Sequence, residues 1–187
     1  MFNKSFIEVY DNALSEKECN ILISQFEKTE RSEGKLIRDG QFIIDHSCKK
    51  SLELSDCKFS DKSVISNIVK PSLLKRIHLY DNKYKCLSHI SDWKYVDDYT
   101  FQKFEYDDDG FKSWHTESGG SEITSKRILV WTYYLNNAKS GTEFMNFSKM
   151  KSKRGRCVIW PASPTHVHRS EKNKGLKYII SGWISYI

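Results

Sequence analysis

The 187-residue sequence predicts an α+β fold, a double-stranded β-helix (jelly roll) with N-terminal helices packed on one sheet. Three observations predict it. Helix-period apolar patterning is confined to the first half, whereas after Trp93 short β-rich runs alternate with polar or glycine-containing turns. Those runs, at 99–106, 113–118, 126–135, 143–147, 156–160, 165–169 and 176–186, have the spacing of a sandwich or barrel. The last run is apolar on both faces, as a covered central strand must be. With 39% hydrophobic and 13% aromatic residues and no repeat or linker, the chain reads as a single domain over 1–187. Residues 1–92 supply helical support and edge strands, and residues 93–187 the jelly-roll catalytic core.

The elements follow in order. Residues 6–10 form a short strand. Ser15 and Glu18 make a capping box, and Cys19, Leu22, Ile23 and Phe26 follow at helical spacing, so a helix runs to about Lys28. Residues 29–58 are polar with short apolar pieces and read as loop and edge strand. A second helical region spans about 60–84, and Pro71 is expected to break it or to open a second piece.

Composition narrows the class of protein. Thirty basic and 24 acidic residues leave a mild net charge of +6. Five of the eight residues from Lys149 to Arg156 are basic, which suits either a solvated loop or a patch for nucleic acid or an acidic partner. No apolar run approaches the roughly 18 residues that span a bilayer. Acidic residues interrupt the N-terminal MFNKSFIEVYD at once, so no signal-peptide core is expected and the location predicted is cytoplasmic, with no membrane partner. Cys19, Cys48, Cys57, Cys86 and Cys157 are odd in number with no C-x-x-C pair, which fits free thiols in a reducing compartment.

The chemistry is concentrated in His115-Thr116-Glu117, with His168 following 53 residues after His115. Period-two alternation in a strand puts His115 and Glu117 on one face. Two histidines and one carboxylate form the facial triad that holds non-haem Fe(II) and leaves positions open for a cosubstrate and O2. In the final strand Lys177, Ile179, Ser181 and Trp183 share a face. A lysine buried on such a strand calls for an anion, and a dicarboxylate would supply one. In RILVWTYYL, Ile128, Val130, Thr132 and Tyr134 share a face, placing two hydroxyls on it. His46, His78 and His89 lie outside the β-rich half and read as ordinary surface or core residues, and Asp107–Asp109 before Gly110 as a turn.

Four blocks, FQKFEYDDDGFKSWHTE, RILVWTYYLNN, SGTEF and GRCVIWPASPTHVHRSEKNKGLKYIISGW, make residues 99–186 resemble the Fe(II)/2-oxoglutarate-dependent dioxygenases, in the prolyl 4-hydroxylase-like branch. The resemblance implies metal ligands His115, Glu117 and His168. It implies cosubstrate contacts from Tyr106, nine residues before the first His, from Tyr134 just before Leu-Asn, and from Lys177, nine residues after the second His. Trp183, six residues beyond Lys177, would line the pocket. The implied cofactors are Fe(II), 2-oxoglutarate and O2, with ascorbate as an accessory reductant. Two departures stand out. Glu117 occupies a place where this branch usually has Asp. His166 and His168 would both lie on the same strand face, and the spacing to Gly175 and Lys177 favours His168.

The implied activity is hydroxylation of a protein side chain, proline among them, or of a small molecule, with 2-oxoglutarate decarboxylated to succinate. One alternative of the same chemistry is a nucleic-acid dealkylase, disfavoured because those enzymes typically follow the second His with two closely spaced arginines. Another is a non-catalytic β-sandwich module binding zinc through His115, Glu117, His166 and His168. Substrate choice is expected to lie in the loops 29–58, 86–98 and 118–125, with Gly119-Gly120 giving the last the freedom of a flap.

Overall fold

The structure, a computed structural model, describes residues 5–38, 40–90 and 92–187, with Ser55 and Asp56 described by backbone alone. Residues 1–4, part of the stretch read above for targeting signals, lie outside the described residues. Strand β1 (Glu8–Tyr10) leads to helix α1 (Glu16–Lys28). Five short strands follow, β2 (Ser32–Glu33), β3 (Leu36–Arg38), β4 (Gln41–Ile43), β5 (Lys49–Lys50) and β6 (Leu52–Lys58), then helix α2 (Val64–Tyr84). The second half holds β7 (Trp93–Phe104), β8 (Gly110–Phe111), a single helical turn α3 (Glu122–Ser125), β9 (Arg127–Tyr134), β10 (Thr142–Phe144), β11 (Arg156–Pro161), β12 (His168–Ser170) and β13 (Lys177–Tyr186).

Local signals account for the helices. Ser15 Oγ accepts the Glu18 N–H while Glu18 Oε2 accepts the Ser15 N–H at 2.7 Å, closing the predicted capping box. Helix α2 departs from expectation: it runs unbroken through Pro71. Its apolar stripe of Ile65, Val69, Leu73, Ile77 and Tyr80 is buried along its length, and that burial outweighs the hydrogen bond Pro71 cannot donate. The 29–58 region is also more ordered than its composition suggests. Its longest piece, β6, pairs antiparallel with β7 and extends the main sheet.

The main sheet has seven strands in the order β1-β11-β9-β13-β7-β6-β2. Both helices cover its outer face, where Cys19, Leu22 and Phe26 of α1 and Val69, Leu73 and Ile77 of α2 join Phe101, Trp131, Tyr133, Cys157 and Ile180 in one apolar core. Gly182 stands opposite Trp131, and a Cβ there would fall 2.3 Å from the indole, so glycine makes room for the ring. The inner face carries the alternate residues in register: Trp160, Val130 and Trp183; then Val158, Thr132, Ser181 and Thr100; then Arg156, Tyr134, Ile179 and Gln102; then Lys177 and Phe104. Against this face pack the shorter pairs, with Phe144 of β10 against Val130 and Trp160. The predicted jelly roll with helices on one sheet is thus the observed architecture.

One turn ties the halves together. Gly155 has φ +73°, its carbonyl accepts the N–H groups of Ala13 and Leu14, and a Cβ there would lie 2.1 Å from Leu14 O. Gly155→Ala is expected to lower folding stability by about 3 kcal/mol, from left-handed strain plus the clash. Urea unfolding checks this, and an unchanged midpoint would mean that the turn relaxes at no cost.

Candidate functional site

The candidate metal ligands come from two segments held side by side. His115 and His168 exchange backbone hydrogen bonds, N to O at 2.9 Å in both directions. Their rings therefore project to one side with centroids 4.4 Å apart. The segment around His115 is not the regular strand 113–118 that alternation suggests. It is extended chain pinned by the bridge at His115 and by Ser118 N–H to Ala162 O, 2.9 Å. Glu117 still joins the two histidines, and its Oε1 lies 3.7 Å from His115 Nε2 and 3.6 Å from His168 Nε2.

The imidazoles are oriented for coordination. His115 Nδ1 lies 3.0 Å from Ser113 O and His168 Nδ1 lies 2.9 Å from His166 O. A carbonyl oxygen only accepts, so each Nδ1 carries a proton and each Nε2 is the ring nitrogen left facing Glu117, free to ligate once it bears no proton. Two such nitrogens and a carboxylate oxygen converge within 4.8 Å, farther apart than hydrogen-bonded atoms. A cation held by all three would relieve this convergence, and two imidazoles with one carboxylate suit Fe(II). Burial pushes the Glu117 carboxyl up, and its contacts with His115 and His168 pull it well below the usual range, so it is present as carboxylate.

His166 is not brought to the cluster. Pro164 opens a 3-10 turn over Pro164–His166, which ends the period-two alternation assumed for residues 165–169 and swings the His166 ring away. Its Nε2 lies 2.7 Å from Ser5 O, its Nδ1 lies 2.8 Å from Thr165 Oγ1, and its ring stacks on Phe147. Both ring nitrogens are thereby engaged. Tyr106 is likewise placed elsewhere, 63% exposed with Lys50 Nζ over its ring. Asp109 Oδ2 accepts the N–H groups of Glu105 and Tyr106 and turns the chain outward after β7. The aromatic residue at the inward end of β7 is Phe104.

Lys177 is 2% exposed, and its Nζ sits 4.6 Å above the Phe104 ring. Among the described residues no carboxylate lies within ion-pair distance of it, and Glu171 acts only from farther away. Burial pushes its ammonium down to about 8. Between Lys177 and the histidines the inner face offers hydroxyls: Thr132 and Ser181 hydrogen bond at 2.8 Å, and Tyr134 and Thr142 at 2.6 Å. Burial pushes the Tyr134 phenol up to about 12, so it stays a donor. Trp183 faces the same side, but its indole N–H donates to Glu117 Oε2 at 2.9 Å.

The triad and the inner-face residues Thr132, Ile179, Ser181 and Trp183 line one cavity of about 1350 Å³; neither Lys177 nor Tyr134 lines it, and their neighbours Phe104 and Thr142 do. Leu36 and Phe42 of the β3–β4 hairpin and the Gly119-Gly120 segment also line it. All three segments expected to govern substrate choice thus border the cavity, the third through Val96 and Asp98. The basic run 149–156 lies outside it and is largely neutralised: Lys149 pairs with Glu143 and Glu171, Lys153 and Arg156 with Asp11, and Arg154 with Glu16. The five cysteines form no disulfide with one another. No helix among the described residues is long and apolar enough to cross a membrane.

The fold and the convergent donors fit a metal-dependent oxygenase, and comparison with known proteins agrees. Residues 101–185 match the 2OG-Fe(II) oxygenase superfamily. The chain is an Fe(II)- and 2-oxoglutarate-dependent dioxygenase, drawing on Fe(II), 2-oxoglutarate and O2. No curated protein matches the chain. Among solved structures it is similar to a viral collagen prolyl hydroxylase from Paramecium Bursaria Chlorella virus-1 in complex with 2OG, at 16% identity and TM-score 0.66, over 99% of this chain and 98% of that one. A Trichoplax adhaerens prolyl hydroxylase bound to a hypoxia-inducible-factor peptide fragment matches at 13% identity and TM-score 0.75, over 98% and 85%. The α-ketoglutarate-dependent epimerase SnoN of nogalamycin biosynthesis matches at 11% identity and TM-score 0.68, over 99% and 79%. At these identities the likeness is one of fold.

Proposed function

We propose that the chain hydroxylates a protein side chain, with peptidyl proline the first substrate to test, using His115, Glu117 and His168 to hold Fe(II). The convergence of two imidazole nitrogens and one carboxylate oxygen at the cavity carries this reading. Fe(II) with 2-oxoglutarate and O2 supplies the oxidation, 2-oxoglutarate leaving as succinate and CO2. The chain's own residues bind and orient. Lys177 pairs its ammonium with the far carboxylate of 2-oxoglutarate, and the Tyr134 hydroxyl donates beside it. Phe104, Val130 and Ile179 form an apolar wall that keeps water from this anion, which strengthens the charge pair. Five cysteines without a disulfide fit a reducing, cytoplasmic setting.

The preference for a peptide over a small molecule follows the breadth of the cavity, which extends from the triad to the exposed Phe42 of the hairpin. The test incubates the protein with Fe(II), 2-oxoglutarate, ascorbate and panels of proline-containing peptides, other peptides and metabolites. The expected result is succinate release stimulated by a peptide that gains one oxygen atom. Stimulation by a metabolite alone would move the substrate class. Tightly bound zinc after purification, with no succinate from any panel, would sink the oxygenase reading of the triad.

A further inference from the structure

The two carboxylate oxygens of Glu117 have different partners. Oε1 faces the histidines, whereas Oε2 accepts the Trp183 indole N–H at 2.9 Å and Arg127 Nη1 at 3.0 Å. The same Nη1 also reaches the Glu117 carbonyl oxygen at 3.2 Å, so one guanidinium ties the backbone and the side-chain end of the residue. The guanidinium carbon lies 3.7 Å from the centre of the Trp183 ring, which stacks the two donors on each other. Arg127 is largely buried, with a side-chain exposure of 12%. Burial pulls its pKa down and Glu117 pushes it back up.

We propose that Arg127 and Trp183 act as a carboxylate clamp: positioning residues that hold Glu117 Oε2 and so make Glu117 a one-oxygen ligand. The proposal rests on the triad assigned above. A carboxylate can bind a cation through one oxygen or both. Binding through both would take a coordination position that the cosubstrate and O2 require. Glutamate is also one methylene longer than the aspartate usual in the family branch this chain resembles, and it has one more torsion to fix. Two charge-assisted donors on Oε2 remove the second oxygen from the metal and fix that torsion before metal arrives. Arg127 and Trp183 therefore explain how a glutamate can occupy this place.

Co(II) binding to the full chain tests the clamp without turnover, because the visible d–d spectrum reports coordination number. Trp183→Phe and Arg127→Met are each expected to weaken Co(II) binding by about 10- to 100-fold and to alter the spectrum. Arg127→Lys keeps the charge but loses the stack and should recover part of the affinity. In a Glu117→Asp background, where the shorter carboxylate cannot reach both the metal and the clamp, Trp183→Phe should change affinity by less than about two-fold. Unchanged affinity and spectrum in folded Trp183→Phe and Arg127→Met overturn the proposal. Equal effects of Trp183→Phe in the two backgrounds also overturn it, since the indole would then act through something other than Glu117. Should Trp183→Phe fail to fold, Arg127→Met and Arg127→Lys decide: an Arg127→Lys affinity between those of Arg127→Met and wild type supports the clamp, and equal affinities in all three overturn it. If wild-type protein binds no Co(II), or His168→Ala leaves binding intact, the triad assignment itself falls.

Discussion

Lys177→Ala will raise the 2-oxoglutarate concentration needed for half-maximal turnover by roughly two orders of magnitude, with kcat at saturation changed far less. The residue is a nearly fully buried cation resting on the Phe104 ring, with no carboxylate in contact among the described residues. A bound dicarboxylate would complete that charge pair in a dry wall, and truncating one member of such a pair costs about 3 kcal/mol. Steady-state kinetics against 2-oxoglutarate give the split, and Co(II) titration gives the control. Loss of metal instead of loss of cosubstrate affinity would make Lys177 structural. The same residue sets a pH dependence. Burial lowers its pKa from 10.5 to about 8 in the folded chain, while Glu171 opposes. The folded value lies below the unfolded one, so between about 8 and 10.5 the unfolded chain binds more protons and stability rises with pH. Cosubstrate binding runs the other way. It needs the ammonium, so affinity for 2-oxoglutarate is expected to fall as pH rises through about 8. A flat affinity from pH 7 to 9 would contradict that role.

His168→Ala will abolish metal-dependent turnover, with metal affinity down by more than about 100-fold, the upper end of what loss of a mere supporting contact costs. His166→Ala will keep metal and turnover and lose about 1 kcal/mol of stability, because it removes a hydrogen bond to Ser5 O and a stack on Phe147. Burial holds the His166 imidazole below its usual pKa, so it is neutral near pH 7. Metal titration and thermal melts of the two variants together separate ligand from support. Equal metal loss in both variants would reopen the choice between the histidines, two residues apart in sequence.

Several features were legible because their causes are local. The Ser15–Glu18 capping box and the Cys19, Leu22, Phe26 stripe specify α1 within a dozen residues. Alternation in β9 and β13 places Thr132, Tyr134, Lys177, Ser181 and Trp183 on one face, because the two strands pair in unbroken register from Ile179–Tyr134 to Ile184–Leu129 and are covered on both sides there. Other features were not legible because their causes are distant. Pro71 lies within α2 because tertiary burial of its apolar stripe outweighs local propensity. Residues 29–58 read as loop and edge strand, which β6 and β2 at the end of the main sheet match; only the partner, β7, was not legible. Arg127 was missed as a site residue for a different reason. Strict alternation sets it with Leu129 and Trp131 on the helix-covered face, but a register shift at Ile184/Ser185, opposite the start of β9, turns it toward Glu117.

The sequence by itself determined the donor types and the sheet face that carries them, since residue identity and period two are local properties. Only the tertiary structure decided which of these donors meet. It separates His166 from His168 by a single turn opened by Pro164, replaces Tyr106 with Phe104 beneath Lys177, and gives Glu117 Oε2 to Arg127 and Trp183. These outcomes depend on where turns and register shifts fall between segments far apart in the chain, and spacing along the chain does not encode that.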